Sequence, residues 1–597
     1  MLSRKTLGLS GLLLLFFVLL LPGWFHFCSV PVRIGAETTI LTEPRTADGR
    51  QIDYAAYFQS QYPAEMKTEK NAARAFARLL GSLAAQGEGV SAEESARLKT
   101  QLFEGLGLKP TDPRFALSDV RKAYEKFLQE KPLGAGDLPQ NEKESEFQKW
   151  KNRQERGELS LFEPADLERN AAFAREWVRD ASSALDALSE AVALAEFCRF
   201  PFQSLNEKPL AEDLLPLDCL QMLPRIAWGL AFRAQWRVLE GNSDGAVSDL
   251  LTCRRLGWLT LQEPCTLMEF ERGLQVEFVA NSISIAANPQ APLSAEQWRR
   301  LMDFSFGPER KNALRESLMV FERFSIPCLL QAASRNPDSV NRQWLLQDEP
   351  SGWRPGVDWN VIVREWNLAF QKAFLEEDFS HFQLREFEEK LEQKRLVLKP
   401  AVPEFQTRQH FSLYLGQKIK RFLRHLDLFE ALQQADCQDQ MLRIGCAMQL
   451  YRLDHAGHFP PACSRNPEGK PLHSWRVLLL PYLGEDALFA KIRLDEPWDS
   501  PWNARFHAQI PGIFVCPEKR KAELLDQTFR PGDTIYSVLI GEQACADPIL
   551  VTERPKPDCW MKPDSEWSLE AFEAAPHLGP CAPKMTVFSS GCVRKLN

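Results

Sequence analysis

An apolar run near the N-terminus constrains the fold more than any other feature of the sequence. It extends from Leu7 to Phe27 without Asp, Glu, Lys or Arg, and the basic residues Arg4 and Lys5 precede it. A helix of about 20 apolar residues spans the hydrocarbon core of a bilayer, and basic residues before it hold that end in the cytoplasm. We therefore predict that residues 7–27 contact the lipid bilayer as a single-pass anchor in the cell inner membrane. The N-terminus would then be cytoplasmic and the bulk of the chain extracytoplasmic.

A cleaved signal peptide is the alternative interpretation of this run. The apolar part of a signal peptide has about 7–15 residues and ends at a small-x-small cleavage site. The run here is longer, no such site follows it cleanly, and bulky residues precede Cys28, which is a poor match to a lipoprotein signal. These features favour an uncleaved anchor.

The rest of the composition is that of a folded protein. The 597 residues are 44% hydrophobic and 25% charged, and a net charge of −8 argues against a nucleic-acid partner. Fourteen cysteines permit disulfides outside the cytoplasm without specifying any, and no C-x-x-C pair occurs. Four of the cysteines lie in helical apolar patterns and are predicted to be small buried hydrophobes: Cys198, Cys253, Cys328 and Cys446.

Helical periodicity dominates the chain from about residue 54 to residue 395. The stretch RNAAFAREWVRDASSALDALSEAVALAEFCRF predicts one long helix. The stretch LPRIAWGLAFRAQWRVLEGNSDGAVSDLLTCRRLGWLTLQ predicts helix, tight turn and helix, similar to one tetratricopeptide-like hairpin. A period of about 34 residues does not recur, so we predict packed helical hairpins rather than a solenoid.

The character of the chain changes after VLKPAVPEF, a proline-containing segment that predicts a linker. A long helical pattern from His410 to Asp454 precedes five short runs with β character, separated by turn residues. The runs are SWRVLLLPYL, GIFVCPE, TIYSVLIG, PILVTE and KMTVFSSGCVRKL. This order predicts an α+β domain in which a long helix is followed by an antiparallel sheet.

The predicted fold is therefore multidomain, with an N-terminal transmembrane helix, a large mostly α-helical domain and a C-terminal α+β domain. The predicted divisions are 1–30 (cytoplasmic tip and anchor), 31–160 (helical segment), 161–396 (helical-hairpin domain), 397–409 (linker) and 410–597 (α+β domain).

The string GNSDG, from Gly241 to Gly245, matches the G-x-S-x-G pattern of a hydrolase nucleophile. That chemistry requires a strand, a strained turn and a helix around the serine. Helical sequence flanks this string on both sides, so Ser243 and Asp244 are predicted to form a helix–helix turn with an N-cap.

A histidine pair closes the long helical pattern of the C-terminal domain. His455 and His458 have the spacing of two metal ligands one helical turn apart. However, Gly457 and Pro460 break the helix there, and no third ligand is evident. We predict a helix C-terminus, where the dipole favours an imidazole and Gly457 supplies a left-handed cap.

The segment LDEPWDSPWN, residues 494–503, concentrates hard oxygen donors with aromatic and proline residues. Calcium binds six to eight oxygens in flexible loops, so the segment is a weak calcium candidate. The alternative is a structural turn that Trp498, Trp502 and the two prolines fix without an ion. The candidate ligands are Asp495, Glu496, Asp499 and Asn503.

The string from Met441 to Phe506 resembles the planctomycete domain-of-unknown-function family 1559, pseudopilin-like proteins with a C-terminal H-x9-D-G signature. A helix ending in HAGHFPPA, then GKPLHSWRVLLLPYL, LDEPWDSPWN, VCPE, ILVTE and a last strand agree in order over residues 437–597. The resemblance implies a pseudopilin-like α+β domain with a calcium site near an Asp-Pro-Trp turn. It also implies a disulfide between Cys437 and Cys516.

The sequence departs from that family in two places. The apolar run has no prepilin leader and no acid, and a predicted helical domain separates it from the helix near His410, a spacing that opposes pilin-type assembly. Near the last strand, Ser590 and Gly591 stand where the family signature places Asp-Gly, so the carboxylate is lost.

The expected function is a non-catalytic interaction or scaffold role outside the cytoplasm, with an envelope protein of unknown identity as partner. Calcium is the one cofactor considered. One alternative is an envelope hydrolase that uses the His and Asp residues between His455 and His507, including His473. The other is a divergent pseudopilin of a secretion or pilus system.

Overall fold

A computed structural model describes the parts of the chain on which the following account rests. The described residues are 29–79, 100, 102–109, 117–130, 164–201, 217–262, 267–281, 292–304, 310, 313, 316–335, 357–374, 428–516, 530–540, 549–563, 567–568, 584–588 and 593–596. The predicted anchor at 7–27, the predicted linker at 397–409, residues 410–427 of the predicted long helix, and Ser590 and Gly591 lie outside them. Within the described ranges, no helix is both long and apolar enough to cross a membrane.

The described chain is mostly helical. Its α-helices are α1 (Tyr54–Gln61), α2 (Ala73–Leu79), α3 (Val120–Glu130), α4 (Pro164–Arg169), α5 (Ala171–Leu194), α6 (Leu217–Leu239), α7 (Ser243–Thr260), α8 (Leu267–Asn281), α9 (Ala295–Asp303), α10 (Arg323–Arg335), α11 (Trp359–Phe374), α12 (Leu428–Asp454), α13 (Trp475–Leu479) and α14 (Asp486–Phe489). Shorter 3-10 turns cover Ala64–Lys67, Leu480–Leu483, Asn503–Phe506 and Gly512–Phe514, and a π-helical stretch covers Ser317–Glu322.

The predicted long helix is confirmed as α5. Trp177, Ala181, Leu185 and Leu188 follow one another at helical spacing and are all buried. A stripe with this period must be covered by another element, and α5 packs against α6 and α7. The apolar stripe therefore explains both the helix and its position.

The predicted turn between α6 and α7 is also confirmed, with a different capping residue. Gly241 has φ +80°, and the side chain of Asn242, rather than that of Ser243 or Asp244, accepts a hydrogen bond from the amide of Gly245. Ser243 is the first residue of α7. The serine thus lies at an ordinary helix start between two helices, as the sequence predicted.

Helices α7 and α8 approach each other closely through two glycines. A Cβ placed on Gly257 would lie 3.0 Å from the carbonyl oxygen of Gly273, and one on Gly273 would lie 3.1 Å from that of Gly257. Both distances are too short for ordinary contact, so a larger residue at either position forces the helices apart.

The C-terminal strands form a five-stranded sheet and a hairpin. The strands are β1 (Cys463–Arg465), β2 (Pro471–Ser474), β3 (Asp533–Ile540), β4 (Ile549–Cys559), β5 (Trp567–Ser568), β6 (Lys584–Phe588) and β7 (Val593–Leu596). The order in the sheet is β5-β3-β4-β6-β7, in which β3–β5 pairs parallel and the other pairs are antiparallel, while β1 and β2 pair antiparallel by themselves. The predicted strands TIYSVLIG, PILVTE and KMTVFSSGCVRKL are confirmed in β3, β4 and β6–β7.

Two predicted strands are wrong. The run SWRVLLLPYL is α13 followed by a 3-10 turn, because Ser474 caps the helix and Pro481 occupies the first turn of the 3-10 segment. The run GIFVCPE begins as the 3-10 turn Gly512–Phe514 after Pro511. Both runs are apolar because they are buried, and burial on several sides removes the alternation that distinguishes a strand.

Arginine side chains donate hydrogen bonds to carbonyls at the C-terminal ends of α5 and α7. Arg255 donates to the carbonyls of Val192 and Ala195 at the end of α5, at 2.8 and 3.0 Å. Arg199 donates to the carbonyl of Thr260 at the end of α7, at 2.8 Å, and is fully buried. The last carbonyls of a helix have no partner inside it and carry partial negative charge. These guanidiniums therefore satisfy them and join one helix to the next.

Candidate functional site

The proline–tryptophan loop, residues 494–503, lies against hairpin β1–β2. The amide of Trp498 donates to the carbonyl of Leu472 on β2, at 2.9 Å. Beyond the loop, Trp560, which follows β4, donates from Nε1 to the carbonyl of His507 at 3.0 Å. The loop is therefore tied to β2, and the turn after it to the end of β4.

Asn503 organises the loop from within. Its side chain is fully buried, and its Oδ1 accepts a hydrogen bond from the amide of Arg493 at 3.0 Å. Its Nδ2 lies 2.9 Å from the carbonyl oxygen of Arg493 and 3.0 Å from that of Pro497. The side-chain amide of Asn503 thus forms hydrogen bonds with main-chain groups of the loop.

Glu496 is likewise used within the loop. Its Oε1 lies 2.8 Å from Nη1 of Arg493, and its Oε2 accepts a hydrogen bond of 2.8 Å from Ser500. These two hydrogen bonds lower the pKa of Glu496 below its ordinary value. Each carboxylate oxygen therefore already has a partner from the chain.

The four candidate calcium ligands differ in their exposure and in their hydrogen-bond partners. Asp495 and Asp499 are exposed, whereas Asn503 is buried beneath the loop. In the described part of the chain, no group of three His, Cys, Asp or Glu side chains is arranged to hold a metal ion. The structure thus gives two of the four ligands other partners, and calcium binding stays a prediction.

The two tryptophans staple the loop, as the structural interpretation of the segment predicted. Trp498 stacks on the ring of His507, with centroids 5.0 Å apart. Trp502 donates from Nε1 to the carbonyl of Lys491 at 2.9 Å. The guanidiniums of Arg493 and Arg505 lie 4.1 and 4.9 Å from the centre of its ring. Both rings are half-buried, so aromatic and cation–π contacts hold the turn in place.

Each of the three histidines named for the hydrolase alternative binds a main-chain carbonyl. Nδ1 of His455 lies 2.8 Å from the carbonyl oxygen of Tyr451, Nε2 of His473 3.0 Å from that of Arg493, and Nε2 of His507 2.9 Å from that of Trp498. Such a contact fixes the orientation of the ring and leaves the other nitrogen for a different partner. Nδ1 of His473 is buried and has no hydrogen-bond partner among the described residues, and the expectation that the protein is not an enzyme stays a prediction.

His455 and His473 differ in their surroundings. His455 stacks on Tyr451 at 3.7 Å at the end of α12, next to Gly457 with φ +87°, which confirms the predicted left-handed cap. His473 on β2 is fully buried, and its burial lowers its pKa. The two rings thus belong to separate elements.

Cys437 and Cys516 are both buried thiols in the structure. Sγ of Cys437 lies 3.4 Å from the hydroxyl oxygen of Tyr536 on β3. The disulfide that the family resemblance implies stays a prediction. Cys198, Cys253, Cys328 and Cys446 are fully buried, which confirms their predicted role as small core residues.

The sequence analysis missed a cluster of buried charges where α12 meets the helical hairpins, which we call the junction cluster. Nη2 of Arg254 on α7 lies 3.0 Å from Oδ1 of Asp439 on α12. Arg310 lies 2.7 Å from Glu277 on α8 and 2.9 Å from Asp436 on α12. The five side chains are between 1% and 13% exposed.

In the junction cluster, burial and the neighbouring guanidiniums shift the pKa of a carboxyl group in opposite directions. Its three carboxylates outnumber its two guanidiniums, and burial raises the pKa of Glu277 to about 7, against the attraction of Arg310. The cluster had a signal in the sequence, because Arg254 continues the spacing of Leu250 and Gly257 on the buried face of α7. A charge at such a position requires a partner from another element.

The same junction shares one hydrophobic core. Met441, Ile444 and Met448 of α12 belong to the cluster of buried residues that includes Val276 of α8 and Leu301 of α9. Helix α12 packs directly against α8 and α9. The helical hairpins and the long helix are therefore joined by apolar packing and by buried ion pairs, while the predicted domain divisions stay a prediction.

The geometry defines a long helix that packs on helical hairpins and also contacts the C-terminal sheet. Residues 430–545 match the family described as "Protein of unknown function (DUF1559)". This match confirms the family resemblance for about a fifth of the 597 residues, a segment that includes α12 and the proline–tryptophan loop. No curated protein matches the chain, and no solved structure matches it.

Proposed function

We propose that the protein is an interaction or scaffold protein, anchored in the inner membrane and exposed outside the cytoplasm. In this proposal, its C-terminal domain is pseudopilin-like. It acts by presenting surfaces to an envelope protein rather than by transforming a substrate. The anchor is residues 7–27, and the surfaces belong to the helical hairpins and to the C-terminal domain.

The junction between the two parts carries this proposal. Buried ion pairs, such as Arg254–Asp439 at 3.0 Å, and a common core hold α12 against α7, α8 and α9. Such a junction fixes the relative position of the two parts, so that a partner meets both surfaces in one arrangement. A scaffold needs this property, and it does not need a reactive group.

The hydrogen bonds of the proline–tryptophan loop support the same proposal. The polar groups most suited to bind a substrate or an ion, Asn503, Glu496 and His473, bind the loop and its neighbours instead. Groups held in this way give the loop a fixed shape, which suits recognition by a partner.

The test combines location with partner capture. The full chain with a C-terminal tag is expressed in its native cells, the envelope is fractionated, and intact cells and spheroplasts are treated with protease. We expect carbonate-resistant membrane association and protease sensitivity of the tag in spheroplasts only. Soluble protein, or a protected tag in spheroplasts, would contradict the proposal.

Partner capture then separates the functional alternatives. Crosslinking before extraction should recover one reproducible envelope partner with the full chain and not with residues 1–50 carrying the same tag. Pilus or secretion components trimmed together with a shortened N-terminus of this chain would favour the pseudopilin alternative. Hydrolytic activity of the purified protein that His473→Asn abolishes would favour the hydrolase alternative.

A further inference from the structure

The residues immediately after the predicted anchor are hydrogen-bonded to the folded body. The amide of Val30 donates to the carbonyl of Val357 at 2.7 Å, and the carbonyl of Val30 accepts from the amide of Trp359 at 3.1 Å. The amide of Val357 also donates to Oγ of Ser29 at 3.1 Å. Residues 29 and 30 are therefore held on both sides by the chain that starts α11.

A second set of contacts secures the next three residues. Oδ1 of Asn360 accepts from the amide of Arg33 at 2.7 Å, and Nδ2 of Asn360 donates to the carbonyl of Pro31 at 3.0 Å. Val32 is 2% exposed, and its amide donates to Oγ of Ser334 on α10 at 3.2 Å. Asn360, itself 7% exposed, thus clamps residues 31–33 to the start of α11.

The distance between the apolar run and this clamp is short. The run ends at Phe27 and the first clamped pair is Ser29 and Val30, so Cys28 alone lies between them and Val30 is three residue steps from Phe27. An extended chain covers about 3.3–3.6 Å per residue, which limits the separation between Phe27 and Val30 to about 11 Å. A flexible spacer between the membrane and the folded body has no room here.

We infer that the end of the molecule formed by residues 29–33 and the start of α11 faces the outer surface of the bilayer and lies against its phospholipid headgroups. This inference rests on the proposed anchor, and it adds an orientation to it. Arg33 and Pro31 are exposed at this end, and Arg335 is exposed next to Ser334. Guanidiniums form strong hydrogen bonds with phosphate oxygens, so the exposed arginines match the headgroup layer.

The orientation is tested with the full chain in nanodiscs of phosphatidylcholine and phosphatidylglycerol in equal parts. A coumarin amino acid replaces Arg335, exposed next to Ser334 on α10, in one protein and Glu468, in the exposed turn between β1 and β2, in another. Lipids with a nitroxide on the headgroup are then added as quenchers. We expect quenching at position 335, which is far from the anchor in sequence, and not at position 468.

Two variants ask whether the clamp sets this orientation. Asn360→Ala removes the two bonds that hold residues 31–33, and about ten inserted Gly and Ser residues after Cys28 add a flexible spacer of about 18 Å. Both changes should weaken quenching at position 335, and the insertion does so in a body whose clamp is intact. The matched control Asn503→Ala removes a buried asparagine with main-chain partners in the proline–tryptophan loop, and it should leave the quenching unchanged.

The outcomes distinguish the two levels of the proposal. A chain that stays outside the nanodiscs overturns the anchor, and the orientation with it. A chain that enters the nanodiscs but is unquenched at position 335, or equally quenched at both positions, overturns the orientation alone. Quenching that survives the inserted spacer would show that the short connection does not set it.

Discussion

Arg310 and Glu277 form an ion pair in which Nη2 and Oε2 lie 2.7 Å apart, and both side chains are almost completely buried. Arg310 also reaches Asp436 on α12 at 2.9 Å. One guanidinium thus joins the helical hairpins to the long helix of the segment that matches the family.

Replacing Arg310 should destabilise the whole described body. Arg310→Met leaves two buried carboxylates without their guanidinium, and breaking a buried pair by removing one partner costs about 3–5 kcal/mol. Equilibrium denaturation with urea measures the loss in the free energy of unfolding. Arg179→Met is the matched control, because the ion pairs of Arg179 on α5 are exposed, and it should leave the transition unchanged. An equal effect of both variants would contradict the role of the junction cluster.

Stability should decrease as the pH rises from 4.5 to about 7 through the contribution of Glu277. Burial raises its pKa from 4.5 to about 7, so the folded state binds a proton that the unfolded state has lost in this window. The free energy of unfolding then falls as the pH rises from 4.5 to 7. Glu277→Gln removes this titration, and the difference in pH dependence between the two proteins isolates it from other groups. His473 has a lowered pKa and contributes the opposite slope in both. Parallel pH profiles would contradict the prediction.

Removing Asn503 should open the proline–tryptophan loop. Asn503→Ala leaves buried main-chain groups of Arg493 and Pro497 without partners, at a cost of about 1–3 kcal/mol. Trypsin should then cleave at Lys491, Arg493 or Arg505 faster than in the parent protein. Asn466→Ala is the control, because Asn466 caps the exposed β1–β2 turn through the amide of Lys470 at 2.7 Å. Cleavage in the loop at the parental rate would show that Asn503 does not hold it.

Calcium should not stabilise the protein, because Glu496 and Asn503 already bind the chain. A ligand at 100 times its dissociation constant adds about 2.7 kcal/mol to the free energy of unfolding. Denaturation in EDTA and in millimolar calcium chloride should therefore coincide. Magnesium at the same concentration controls for ionic strength. A gain of that size with calcium alone, lost in Asp495→Asn with Asp499→Asn, would establish a site at the loop.

Local sequence patterns predicted α5, α6, α7, α12 and three of the strand runs. In α5 the buried residues repeat at helical spacing, and in β3 and β4 short β-rich runs stand between turn residues, so each element could be predicted without its neighbours. The runs SWRVLLLPYL and GIFVCPE could not, because a short buried run has the same composition in a helix as in a strand.

The contacts of the candidate site depended on residues far apart in the chain. Arg254 and Asp439 are 185 residues apart, and Arg310 and Asp436 are 126 apart. No local pattern reports such a pair. In the proline–tryptophan loop the residue types suggested calcium, whereas the partners of Asn503 are main-chain groups that its sequence neighbours do not reveal.

The shared junction means that the segment matched by the family is not a portable module in this chain. Excising residues 430–545 would place Asp436 and Asp439 opposite water instead of Arg310 and Arg254, and it would uncover Met441, Ile444 and Met448 along one side of α12. In isolation, the segment could keep these side chains buried only if another surface covered the face of α12 that the hairpins cover here. In this protein the long helix is held against the helical hairpins, so the position of the sheet depends on helices that lie more than a hundred residues earlier in the chain.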